Sequence, residues 1–89
     1  MKIKITSDDI YHGICNDGDA CPIALAVARH IPGYSLQVDA VTVTLFGYDG
    51  ESQVSFDLPE VASDFIRDFD AIDENVMPFE FELEGVDEN

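Results

Sequence analysis

VTVTLFGYDGESQVSFDLPEVASDFIRDF, residues 41–69, changes its hydrophobic period halfway along. Val41, Val43 and Leu45 alternate with Thr42 and Thr44, and Val54, Phe56 and Leu58 alternate with Ser55 and Asp57. A period of two puts one face of each strand in a core and the other in water. Asp49-Gly50 between the runs is a hairpin signal, because both residues tolerate the left-handed backbone of a tight turn. Pro59 then fits the start of a helix, Glu60 to about Phe69. There Leu58, Val61, Ala62, Phe65 and Phe69 form an apolar stripe.

The flanks extend this pattern. Lys2–Ile5 alternates charge and Ile, as a short strand does, and Thr6 or Ser7 can cap a brief helix through Asp8–Tyr11 that His12-Gly13 ends. Ile14–Ala20 is a loop around the turn formers Asn16-Asp17-Gly18-Asp19. Cys21-Pro22 opens a second helix, with Pro22 where a missing N–H costs nothing. Ile23–Ala28 is apolar nearly all round, so this helix is expected to be largely buried, and Ile31-Pro32-Gly33 stops it. Leu36 and Val38 mark another strand. After Pro78, Phe79, Phe81 and Leu83 face one way and Glu80, Glu82 and Glu84 the other. Phe56, Phe65, Phe69, Phe79 and Phe81 should share one core with Leu25 and Val43. The expected fold is α+β: a mainly antiparallel sheet of about five short strands with helices packed on one face, in the order β-α-α-β-β-β-α-β. Residues 1–84 form one domain and 85–89 a polar acidic tail.

Charge is the second signal. The chain has 89 residues, is 46% hydrophobic and carries a net charge of -15, from 19 acids against 4 Lys and Arg. A strongly charged chain usually lacks the apolar residues to fold, but this one has them. Such an excess repels itself in the compact state. It serves either solubility or contact with something strongly positive, and it disfavours nucleic acid and anionic membranes as direct partners. The N-terminus lacks the apolar run of a signal peptide, and no stretch reaches the roughly 18 residues of a membrane helix. A soluble, cytoplasmic protein is expected.

Acids concentrate at the C-terminal side: Asp57, Glu60, Asp64, Asp68, Asp70, Asp73, Glu74, Glu80, Glu82, Glu84, Asp87 and Glu88, with Arg67 as the one base. Glu60, Asp64 and Asp68 repeat every four residues, and like charges so placed each cost a helix about 0.2–0.5 kcal/mol. Steps of about 6 Å on a helix and 6.7 Å on a strand are sparser than the charge of a duplex, one per ~1.7 Å of axis. Two rows and the Asp70, Asp73 and Glu74 loop could approximate a single-strand backbone. Lys2 and Lys4, across paired strands, would neutralise part of the Glu80 and Glu82 face. Reversing Asp8 and Asp9, outside this segment, is expected to matter much less for binding a partner.

No catalytic motif is present, so no enzyme activity and no cofactor is expected. His12, Cys15, Cys21 and His30 are the four ligand types of a zinc site, but their spacing matches neither half of one. Buried structural thiols suit Cys15 and Cys21 better. Cys21 at a helix N-terminus would gain thiolate stability from the dipole, which Asp17 and Asp19 oppose.

Ile5-Thr6, Asp9-Ile10, Gly13, Cys15 and Cys21-Pro22-Ile23-Ala24-Leu25-Ala26, with Leu58-Pro59, Phe65-Ile66, Phe69-Asp70 and Pro78-Phe79-Glu80-Phe81, resemble a group of small bacteriophage and prophage proteins. That resemblance implies a phage-borne protein in a bacterial cytoplasm and carries over no site residue. Small acidic phage proteins often inhibit host defence by occupying nucleic-acid-binding surfaces. The expectation is therefore an inhibitor of anti-CRISPR or anti-restriction type, a partial mimic of a nucleic-acid backbone. It would meet a basic surface on a host nucleic-acid-binding protein. Glu60, Asp64, Asp68, Asp70, Asp73, Glu74, Glu80, Glu82 and Glu84 would make the contacts, with Phe46 and Tyr48 as apolar anchors. The alternatives are a metal- or thiol-dependent regulator using Cys15 and Cys21, and a structural accessory protein. A homodimer is left open.

Overall fold

In the computed structural model, which describes residues 1–15, 17–47, 52–71 and 76–83, the elements fall in the expected order. They are β1 (Lys2–Ile5), α1 (Ser7–His12), α2 (Pro22–His30), β2 (Tyr34–Val38), β3 (Thr42–Gly47), β4 (Gln53–Asp57), α3 (Glu60–Asp70) and β5 (Phe79–Glu82). The fold is α+β and every strand pairing is antiparallel. The strands do not form one sheet. β1 pairs with β5, and β2-β3-β4 form a second sheet. α2 packs against both β1 and β2 and so spans the two sheets.

Local chemistry explains each boundary. Thr6 caps α1 in a reciprocal box: its hydroxyl accepts from Asp9 N–H (3.2 Å) and Asp9 Oδ2 accepts from Thr6 N–H (2.9 Å). Cys21 caps α2 through Sγ, which accepts from Ala24 N–H at 3.4 Å, and Pro22 follows as the first helical residue. Between β2 and β3 the chain turns at residues 39–42. Asp39 Oδ1 accepts from Val41 and Thr42 N–H, and Oδ2 from the Thr42 hydroxyl, so a carboxylate closes the turn. Asp49-Gly50, the hairpin signal between β3 and β4, lies outside the described residues, but the strands it joins are paired from Thr42↔Asp57 to Phe46↔Gln53.

One core collects the apolar faces. Ile3, Ile5, Ile23, Val27, Val43, Leu45, Ala62, Phe65, Ile66, Phe69, Phe81 and Leu83 are buried in a single cluster, with Phe56 and Phe79 packed against it. Phe65 ties α3 to β5, with its ring 4.8 Å from Phe79, and stacks on Phe69 of the same helix at 5.9 Å. Such ring pairs add about 0.5–1.5 kcal/mol beyond area burial. The register of β5 is as expected: Phe81 and Leu83 are buried while Glu80 and Glu82 are exposed.

Five apolar assignments change, the first being Val54, which is exposed near the start of β4 although Phe56 and Leu58 on the same face turn inward. Val61 is half exposed and Ile66 takes its place in the core, because residues 62, 65, 66 and 69 lie on one side of a helix turning about 100° per residue. Leu25 is only partly buried and Ala28 is exposed, since α2 shows one side to water. Val41 sits in the 39–42 turn, ahead of β3, and is exposed.

Candidate acidic binding surface

The acids divide by what holds them. Asp9 is the one charged side chain that is buried among the described residues. Arg29 from α2 grips it with two bonds, Nη1 to Oδ1 at 2.7 Å and Nη2 to Oδ2 at 2.9 Å, and Nη2 also donates to the Lys4 carbonyl at 2.9 Å. Burial pushes the Asp9 carboxyl up, but the Arg29 bonds and the two from Thr6 outweigh it and hold it below the usual carboxylate range. Asp9 thus ties α1, α2 and the end of β1 together. Its role is in the fold, through a partner twenty residues away that charge balance by segment does not reveal. Asp39 is likewise held below its ordinary range by the Val41 N–H, the Thr42 hydroxyl and the Thr42 N–H.

The β5 row is answered from β1. Lys2 lies opposite Glu82 and Lys4 opposite Glu80, with Lys2 Nζ 3.9 Å from Glu80 Oε1. The Met1 amino group lies 2.8 Å from Glu82 Oε1. Glu80 and Glu82 therefore share their face with comparable positive charge, as the antiparallel register of Lys2-Ile-Lys4 and Glu80-Phe-Glu82 requires.

The α3 row keeps more of its charge. Glu60, Asp64 and Asp68 lie on the side of the helix away from Phe65 and Ile66, and Glu60 and Asp68 are exposed. Arg67 lies among them and bonds Asp64 Oδ1 at 2.8 Å, an exposed i,i+3 pair worth a few tenths of a kcal/mol. Glu60 and Asp68 flank that pair. Asp70 is on another side of α3, half-buried, in a cleft of about 280 Å³ that it lines with Asp17, Asp39 and Cys21. It is not part of the α3 row. Phe46 stands on β3, partly exposed, away from α3 in sequence and on the outer face of its sheet. Asp73, Glu74, Glu84 and Tyr48 lie outside the described residues. Asp57, exposed at the end of β4 just before α3, extends the α3 acids and was missing from the candidate contacts. Its place in the acidic count was the signal.

The thiols and imidazoles go separate ways. Cys15 Sγ donates to the Phe69 carbonyl at 3.3 Å, and Cys21 is buried at its cap. His12 Nδ1 lies 2.9 Å from the Asp8 carbonyl oxygen, and His30 Nε2 accepts from Lys4 N–H at 3.4 Å. Among the described residues no three His, Cys, Asp or Glu gather where they could hold a metal ion, so the set His12, Cys15, Cys21 and His30 is not a formed site. Burial pushes the Cys21 thiol up; its helix N–H contacts oppose this, and Asp70 and Asp17 add to it. The dipole effect at this N-terminus loses to desolvation.

Among the described residues no helix is long and apolar enough to cross a membrane. No family model matches the chain, and no curated protein or solved structure matches it either.

Proposed function

We propose that this chain is a non-enzymatic binding protein whose α3 acids, with Asp57, meet a Lys/Arg-rich surface on a nucleic-acid-binding protein. One observation carries the reading. Glu60, Asp64 and Asp68 stand on the solvent side of α3 with Arg67 as the one base beside them, whereas the acids of β5 are balanced and Asp9 and Asp39 serve the fold. Exposed charge of one sign speeds encounter with the opposite sign and makes it sensitive to salt. The bacterial-host setting and the inhibitor role rest on the resemblance to phage proteins alone.

The test is capture from bacterial lysate in low and moderate salt by the wild type and by Glu60→Lys/Asp64→Lys/Asp68→Lys. The expected partner is displaced by added nucleic acid, is lost in the triple variant, and is lost as the Debye length shrinks from about 30 Å to about 10 Å. A partner that ignores both charge reversal and salt would refute the reading. Asp8→Lys, at an exposed α1 position, is the proper control.

A further inference from the structure

The two sheets have four outer strand edges, and they are treated unequally. On β1, the Lys4 N–H and C=O that turn away from β5 are taken by His30 Nε2 and Arg29 Nη2. On β2, Val38 N–H donates to the Gly18 carbonyl at 2.9 Å, so Gly18 covers that edge at Val38. The fit is close: a Cβ on Gly18 would come within 2.6 Å of the Val38 carbonyl oxygen. No such cover meets β4 or β5 among the described residues.

The ladder shows which groups β4 offers. Leu58 N–H donates to the Val41 carbonyl and Gly47 N–H to the Ser52 carbonyl. Bonded pairs alternate in an antiparallel ladder, so Val43↔Phe56 and Leu45↔Val54 carry the bonds between them. Ser55 and Asp57 therefore turn their N–H and C=O outward. Both line an open groove of about 580 Å³ that reaches β5 at Phe81 and Glu82. Phe56, Leu58, Val61 and Phe81 supply apolar surface there, and the lining includes Asp57, Glu82 (paired with the Met1 amino group) and no Lys, Arg or His. Val61, the core residue that failed to be buried, lies on the same side of α3 as Asp64 and Asp68, at steps of three and seven residues.

We infer that this groove takes an extended segment of the partner that alternates Lys or Arg with an apolar residue and adds to the β4 edge. This rests on the proposed function and names how its surface is read. Main-chain bonds to Ser55 and Asp57 would supply affinity. Alternate side chains would enter the apolar groove or face Asp57 and the α3 acids, which suits a cationic strand and repels an anionic one.

The probe is the synthetic peptide acetyl-Lys-Val-Lys-Val-Lys-Val-Lys-amide, titrated into the ¹⁵N-labelled full chain. Amide exchange at Ser55 and Asp57 should slow at least about tenfold, the effect of one added bond of about 1.4 kcal/mol. N-methylation of the peptide on one alternate set of residues should abolish binding, and on the other set should leave it intact, because a strand pairs through every second residue. These changes are in the peptide, so the protein's fold is untouched. If the Lys-Val peptide binds but neither methylated set matters and Ser55 and Asp57 are unprotected, docking on β4 is overturned while the acidic-surface reading stands. Equal binding by a Thr-Val peptide of the same length would overturn the basic occupant and the acidic-surface reading together.

Discussion

Replacing Asp9 with Ala removes the acceptor of two Arg29 bonds and of the Thr6 N–H, and half of the α1 capping box. Breaking a buried ion pair by deleting one partner costs about 3–5 kcal/mol, chiefly because a charge is left unpaired. Here the orphan is Arg29, whose side chain is 48% exposed and regains water, so the lower end of that range applies. Loss of the Thr6 acceptor adds up to about 1 kcal/mol. A total of about 3–4 kcal/mol would lower Tm by roughly 12–32 °C, at about 4–8 °C per kcal/mol for a domain of this size. That is a large part of the roughly 5–15 kcal/mol that holds such domains together. The complementary variant, Arg29→Met, leaves the buried carboxylate unpaired and should cost at least as much. Thermal unfolding followed by circular dichroism measures both, and the double variant should cost less than the two singles summed. A fall below about 4 °C for Asp9→Ala would refute the assignment of Asp9 as the joint between α1, α2 and β1.

Three further outcomes are expected. Asp9 and Asp39 have folded-state pKa values below their ordinary 3.8, so their stabilisation is complete above the unfolded value and is lost as pH falls through the folded values. Relief of the -15 charge acts oppositely, so stability by urea titration should rise from pH 7 to a mildly acidic maximum and fall below about pH 4, with Asp9→Asn shrinking the acid limb. Cys21, buried and with its thiol pushed up, should react with a thiol reagent at pH 7 only after unfolding. A Cys15→Ser variant isolates its rate, and fast labelling of native protein would contradict the buried cap. Ile66→Asp should prevent folding, while Val61→Asp should change Tm by only a few degrees, because a charge is costly only where water cannot reach it; equal losses would mean the face of α3 is misassigned.

Nearly all the elements were legible in local sequence. Period two in residues 41–45 and 54–58, Pro59 ahead of an apolar stripe, and Cys21-Pro22 before Ile23 place strands and helices through bonds within a few residues of each other. The pairing of Lys2 and Lys4 with Glu80 and Glu82 was also foreseeable, since two strands with matching alternation have few ways to bury both Ile and Phe. What the chain alone could not decide depends on contacts between distant segments. The Thr6-x-x-Asp9 spacing marks Asp9 rather than Asp8 for the capping box, but only Arg29, brought over by α2, makes it a buried joint between elements. The division into two sheets, the bonds that cover β1 at Lys4 and β2 at Val38, and the groove beside β4 likewise follow from where α2, α3 and Gly18 come to rest. Hydrophobic period fixes which face of an element turns inward, but not which edge another segment reaches. That choice is made by packing, and it separates the acids that hold this fold from those it presents to a partner.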